Sequence, residues 1–247
     1  MQAQKIKILY EDKDMLVIDK PSGISVHGDG RKDPSISLRA RKTIADWMVK
    51  NYPKSKSVGE SLGKGEAMIK KPGIVHRLDR DTSGVLILAK NKNAYEFLKN
   101  QFVNREIKKV YTAIVLGHVK QERGIINKPI GRSPKDFRRR LAGRGARGEM
   151  REAITNYKVL KRFTDKKGNK FTLLEISPKT GRTHQIRVHM QFLNHPVVCD
   201  VLYNSKGICP KDINRLALHA KSIEFKNLKK ETIKVESILP KEFKGIV

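Results

Sequence analysis

His76-Arg77-Leu78-Asp79-Arg80-Asp81-Thr82-Ser83-Gly84 runs without a break into Val85-Leu86-Ile87-Leu88-Ala89, and that junction decides how the chain is read. The second part is a short, uninterrupted apolar run, the pattern of a strand buried on both faces. The first part is too polar to build a core, yet it stands at that strand's entrance. Asp81-Thr82-Ser83-Gly84 is turn chemistry, because Asx and hydroxyl side chains bond their own backbone and glycine frees its dihedral angles. Asp79 lies between Arg77 and Arg80, and guanidinium groups close by favour an ionised carboxylate. Such a group suits a nucleophile or a base rather than a general acid. It suits equally well one half of a structural ion pair.

Upstream, residues 5–30 read as two short strands and a turn. Ile6, Ile8 and Tyr10 alternate with polar neighbours, and Met15-Leu16-Val17-Ile18 precedes Pro21-Ser22-Gly23. Residues 37–50 read as a helix, with Leu38, Ile44, Trp47 and Met48 near one face. Residues 53–71 lack periodicity and are rich in Lys, Ser and Gly, which predicts an exposed, flexible basic insertion. Gly59 to Gly65 is not a phosphate-binding loop, since the glycine spacing is one residue short and Gly65 replaces the required Ser or Thr.

Downstream, Asn91 should cap a helix that turns Ala94, Phe97, Leu98 and Phe102 inward. Residues 108–119 alternate as a strand, with Val110, Thr112 and Ile114 on one face and Tyr111, Ala113 and Val115 on the other. Residues 131–151 hold eight basic and two acidic side chains, four glycines and almost nothing to bury, so they read as a basic loop suited to phosphates. Strands follow at 153–163 and 170–177, a helix at 183–193, and strands at 215–225 and 231–238. Strands and helices intermingle without regular βαβ alternation. That predicts an α+β fold with a mixed, largely antiparallel sheet, in one catalytic domain over residues 1–247.

Composition points to the partner. The 247 residues include 53 Lys plus Arg against 25 Asp plus Glu, a formal charge of +28. A field of that sign draws polyanions and releases their counterions, so nucleic acid leads and a membrane surface does not. Two cysteines, Cys199 and Cys209, are too few for a disulfide framework or a four-cysteine metal site. His184 and His189 are five apart, not four, and no metal or other cofactor is expected. The chain begins without a signal-peptide pattern and holds no membrane-length apolar run, so it reads as a cytoplasmic monomer with no obligate protein partner.

Two further polar clusters interrupt core-building segments: Lys20-Pro21-Ser22-Gly23-Ile24-Ser25-Val26-His27, and Thr180-Gly181-Arg182-Thr183-His184-Gln185-Ile186-Arg187-Val188-His189. If 183–193 is helical, His184 and Arg187 share a face one turn apart, while Ile186, Met190 and Leu193 face the core. Such an arginine could grip a carboxylate or phosphate bidentately. Taken singly, each cluster could be no more than a solvated polar face.

Taken in order, these segments resemble the signature motifs of the RluA-type pseudouridine synthases, which isomerise uridine in folded RNA. His76–Gly84 matches the family's catalytic motif throughout, and Lys20-Pro21-Ser22-Gly23 with Val26-His27 matches its first motif. Lys109-Val110-Tyr111-Thr112-Ala113, closing at Gly117, is similar to the strand that supplies an active-site tyrosine. Gly181 to His189, with His195-Pro196 and Asp200, is similar to the last large motif, and Arg215 to Ala220 to a late strand. The resemblance implies the pseudouridine synthase fold, a central mixed sheet flanked by helices and loops around an RNA-binding cleft, with no metal or organic cofactor. It implies that Asp79 is the essential aspartate, that Tyr111 stacks on the target base, and that Arg187 pairs with Asp79.

Arg77, Arg80 and His184 are expected to contact the substrate, and Arg138, Arg139 and Arg140 the RNA backbone. The sequence leaves open ribosomal or transfer RNA, and attack on the sugar or abstraction of a sugar proton. Many members carry a small RNA-binding domain ahead of the catalytic one; here the first motif begins at Lys20, so none is expected. Two other readings stand beside this one. A non-catalytic RNA-binding or ribosome-assembly protein would not need Asp79, Tyr111 and Arg187 together. A nuclease using Asp79 and Asp81 would set two carboxylates among arginines, a poor magnesium site.

Overall fold

The computed structural model describes residues 6–28, 43–62, 69–143, 145–210 and 212–244. Leu38 and residues 37–42 of the expected first helix, residues 63–68 of the expected insertion, and Arg144 lie outside them. The fold class is α+β, and the described chain gathers into two compact units, residues 1–107 with 222–237, and residues 108–221 with 238–247.

The first unit is built on a hairpin. Strand β1 (Lys7–Glu11) pairs antiparallel with β2 (Met15–Lys20), and β2 pairs antiparallel with a later strand, β5 (Ser83–Ala89). Every residue of β5 is buried, as an apolar run at a sheet centre requires. Helix α1 (Ile44–Asn51) opens with a capping box: Thr43 accepts from the Asp46 N–H while the Asp46 carboxylate accepts from the Thr43 N–H.

The stretch expected to be a structureless insertion is in part ordered. Pro53–Ser57 forms a 3₁₀ turn with Ser55 and Val58 buried, and β3 (Ser61–Leu62) pairs with β4 (Ile69–Lys70). Gly73 then brings the chain against β5, where Ala89 donates to its carbonyl at 2.9 Å. Its positive φ of 68° and the nearness of the Ala89 carbonyl, which a Cβ would strike, both require glycine.

Helix α2 (Lys92–Val103) is capped by Asn91, which accepts from the Ala94 N–H. Its buried face is Ala94, Tyr95, Leu98 and Gln101, whereas Phe97 and Phe102 are only half-buried. Gln101 is polar because it works as a strand would. Its amide donates to the Lys226 carbonyl and accepts from the Lys226 N–H, both at 2.9 Å.

In the second unit β6 (Lys108–Leu116) pairs antiparallel with a later strand, β12 (Lys170–Pro178). Between them in the chain come β7 (Arg123–Asn127) and β11 (Ile154–Thr164), so that β12 pairs β11 and β11 pairs β7, all antiparallel. Residues 131–151 are not the loop expected. β8 (Ile130–Arg132), β9 (Arg140–Ala142) and β10 (Arg147–Arg151) form a three-stranded antiparallel sheet with β8 in the middle. What it buries comes from outside the stretch: Ile130 packs with Ala153, Val188 and Tyr203.

Helix α3 (Gln185–Phe192) begins two residues later than expected and is buried from Gln185 through Met190. It therefore has no solvated polar face. Cys199 and Cys209 are joined by a disulfide bridge, which closes the segment carrying Asp200 and Tyr203. Strand β13 (Leu218–Lys226) follows, and from Ser222 onward it pairs antiparallel with β14 (Thr232–Glu236). A short helix, α4 (Lys241–Lys244), places the fully buried Phe243 in the second unit's core. Among the described residues no helix is long and apolar enough to cross a membrane.

Candidate active site

Two clusters hold the residues singled out by sequence, one in each unit. In the first, Asp79 and its neighbours form a turn at the mouth of β5. Thr82 donates to the Asp79 carbonyl at 3.2 Å, and Leu78 anchors the turn in the core. Asp79 is half-buried, while Arg77 and Arg80 are exposed; Arg80 Nε meets the Asp81 carboxylate at 3.1 Å. His76 lies flat on Phe102, ring centres 4.7 Å apart, and its Nε2 accepts from the Ile87 N–H.

The Lys20 motif is what holds this turn. Lys20 is fully buried, a position an ammonium tolerates only if its protons are all bonded. They are: Nζ donates to the carbonyls of Pro21, Ile24 and Arg80, each at 2.9 Å. Gly23, at φ 87°, donates to the Arg80 carbonyl, and the Ser22 hydroxyl donates to the Asp81 carbonyl at 2.7 Å. The Lys-Pro-Ser-Gly run thus clamps the backbone on the C-terminal side of Asp79.

The second cluster gathers on α3. Arg187, buried to 5% exposure, donates from Nε and Nη2 to the two oxygens of buried Asp200, at 2.7 and 2.8 Å. Its guanidinium lies over the Tyr203 ring, 5.1 Å from the centre. His184 stands just before the helix in the left-handed region, φ 58°, where a non-glycine side chain is strained, and its Nδ1 bonds the Tyr203 hydroxyl at 2.9 Å. Tyr111 is half-buried on β6, opposite Ile176 of β12.

Sequence reasoning missed the groups that fix α3. The Gln185 amide is fully bonded. Its oxygen accepts from the Thr180 hydroxyl and the Arg182 N–H, while its nitrogen donates to the Ile154 carbonyl and the Thr155 hydroxyl. His189, wholly buried, reaches the Lys128 carbonyl through Nε2 and Thr155 Oγ1 through Nδ1. A carbonyl only accepts, so Nε2 carries the proton and Nδ1 accepts from threonine, a neutral imidazole.

Burial pushes the His189 pKa below its ordinary 6.5, against the opposing pull of the Lys128 carbonyl. The unfolded chain therefore takes up this proton first as pH falls. The stabilisation is complete above about pH 6.5 and is lost as pH drops from there through the folded pKa. Urea-unfolding midpoints should fall on acidification below about pH 6.5. His189→Gln should flatten that decline, and a parallel decline in the variant would contradict this assignment.

The arginine triplet divides into three roles. Arg138 is exposed and bidentate to Asp136, whose carboxyl these bonds pull down to about 2. Arg139 is half-buried with its guanidinium 5.4 Å from the Tyr203 ring centre. Arg140 donates to the carbonyls of Phe137 and Arg139, and its backbone N–H donates to the Tyr203 hydroxyl at 2.9 Å. Among the described residues no three His, Cys, Asp or Glu gather as a metal site would require.

Comparison with known proteins agrees with these motifs. Residues 14–192 match the model of a family described as RNA pseudouridylate synthase. The chain is similar to an uncharacterised RNA pseudouridine synthase of Bacillus subtilis, YlyB, at 35% identity over 98% of this chain and 72% of that protein. It is 38% identical to ribosomal large subunit pseudouridine synthase D of Borreliella burgdorferi, over 96% of this chain and 66% of the relative. A relative from Aquifex aeolicus, an uncharacterised RNA pseudouridine synthase, is 39% identical and is spanned over only 59% of its length. The solved human RNA pseudouridylate synthase domain containing 1 superposes with a TM-score of 0.73 at 25% identity, over 97% of this chain and 87% of that one.

Proposed function

The chain belongs to the RNA pseudouridylate synthase family, and from that premise we propose that it isomerises specific uridines of ribosomal RNA with Asp79 as its catalytic carboxylate. The observation that carries the residue assignment is the Asp79 turn, clamped from behind by a buried lysine whose three protons are all spent on it and its own loop. The reaction breaks a glycosidic bond, turns the uracil and forms a carbon–carbon bond in its place. A stacked nucleotide hides that bond, so the base is flipped out at a cost of about a few kcal/mol. An aromatic floor recovers roughly 1–3 kcal/mol of this, and Tyr111 is assigned that part. Arg187 supplies positive charge to the same chemistry. Arg77, Arg80 and His184 are assigned to substrate, and no organic or metal cofactor is needed.

Among the relatives, three bear a ribosomal large subunit name, which makes large-subunit RNA the first target to test and transfer RNA the second. The place of action is the cytoplasm, and the working form is a monomer. Deleting the gene and mapping pseudouridine across cellular RNA should reveal one or a few missing sites. Wild type should restore them and Asp79→Ala should not. Restoration by both would leave an RNA-binding or ribosome-assembly role.

For backbone contact, the exposed Arg138 is the first of the triplet to test. Arg138→Gln should flatten the dependence of log affinity on log salt by about 0.7–0.9, the value of one phosphate contact. An unchanged slope would remove it from the interface. Arg139→Gln should flatten the slope by a similar amount, its guanidinium on the Tyr203 ring taking a phosphate of its own.

A further inference from the structure

Tyr203 is only 2% exposed, yet both ends of its side chain are occupied by groups already assigned a function. Its hydroxyl accepts from the backbone N–H of Arg140 on β9 and bonds His184 ahead of α3. Its ring lies under two guanidinium groups, those of Arg139 and Arg187. Its body packs with Ile130 of β8 and Val188 of α3. One side chain thus joins the basic sheet to the helix that carries Arg187.

The charges around it are unequal. Arg187 has Asp200 as counter-ion. Among the described residues no carboxylate pairs with Arg139, and its Nε is buried without a hydrogen-bond partner. Asp136 acts on Arg139 only through space and is already bonded by Arg138, so an anion arriving from outside can complete this cation, and a phosphate oxygen fits a guanidinium.

We propose that Tyr203 is a positioning residue, coupling RNA phosphate uptake at Arg139 to the orientation of Arg187. The proposal rests on the assignment of Arg187 to the reaction and adds what aims it. When phosphate engages Arg139 and β9, the ring and hydroxyl of Tyr203 carry that placement to His184 and Arg187 through direct contact. RNA seating and arginine alignment become one event.

The test uses the full chain with an unmodified transcript carrying the mapped uridine. Binding affinity and the single-turnover rate at saturating RNA are measured for each variant. Tyr203→Phe keeps the ring and loses the hydroxyl's two bonds, and should weaken binding about five- to tenfold with the saturated rate within about twofold. Tyr203→Leu also loses the ring, and should cut the saturated rate about 10- to 100-fold, as misplacing a positioned group does. Arg187→Met is the reference and should lose the rate outright.

A Leu variant with the wild-type saturated rate overturns the proposal. So does a loss of rate in both variants that merely tracks their melting temperatures, as general unfolding would. If the Leu variant does not fold, Tyr203→Phe decides, and unchanged affinity and rate overturn the coupling. A fully active Arg187→Met overturns the assignment of Arg187 itself, and the proposal with it.

Discussion

Asp79→Asn should give a folded protein that binds RNA and makes almost no pseudouridine. The substitution keeps the size and hydrogen-bonding shape of the side chain and removes its negative charge and its capacity to attack or to take a proton. A group acting as nucleophile or base contributes at least about a thousand-fold, so the single-turnover rate should fall by that or more. The turn should survive, because Lys20, Ser22, Gly23 and Thr82 hold it through backbone carbonyls. Affinity for the same transcript should stay within about threefold, since phosphate contacts carry most of it. A variant that keeps a tenth of the wild-type rate would move the chemistry to another residue.

Asp200→Ala should be the most destabilising single change in the second unit. It leaves the Arg187 guanidinium buried with both of its Asp200 bonds lost, at 5% exposure. Removing one member of a buried, bidentate pair costs about 3–5 kcal/mol, since the remaining buried charge loses its two strongest bonds. In a chain of this size that lowers the melting temperature by roughly 6–20 °C. The same carboxylate accepts from the Leu202 and Tyr203 N–H groups, so the loss also loosens the segment that presents Tyr203. The double variant Asp200→Ala with Arg187→Met should recover much of the stability, because the buried guanidinium is removed together with its Asp200 carboxylate. A single variant with wild-type melting would show that the pair stabilises nothing.

Elements that repeat a hydrophobic period were legible in the sequence. β5 was visible as five consecutive apolar residues, β11 and β12 were placed within a residue or so, and Asn91 announced α2. Elements built on polar pairing were not. α3 buries Gln185, Arg187 and His189 by satisfying each of them, and a buried polar residue that has found its partner looks on paper like a solvated one. The sheet of β8 to β10 was hidden for a related reason. Its own residues are rich in arginine and glycine, and Ile130 is buried only with Ala153, Val188 and Tyr203 from elsewhere in the chain.

The site was legible as a set of motifs and not as a mechanism. The motifs placed Asp79 in a turn, but nothing in the string showed that Lys20 would hold it. Arg187 was expected beside Asp79; the partner found for it within its own unit is Asp200. Tyr203 lies outside the motifs that mark the site in the sequence. Its signal was its place three residues after Asp200 in a stretch with few other aromatics, and only its neighbours in space give that place meaning.

The clamp on the Asp79 turn has a consequence for how the protein comes into being. Lys20 and Arg80 are sixty residues apart in the chain. A turn closed by such a bond gains nothing until the entropy of bringing distant segments together has been offset, and that happens only when β2 docks on β5. Partly folded chains, including those still emerging from synthesis, can form the neighbouring helices long before they form this turn. The carboxylate on which the chemistry depends is therefore assembled with the tertiary structure, and an incomplete chain presents RNA with basic surface but no reactive centre.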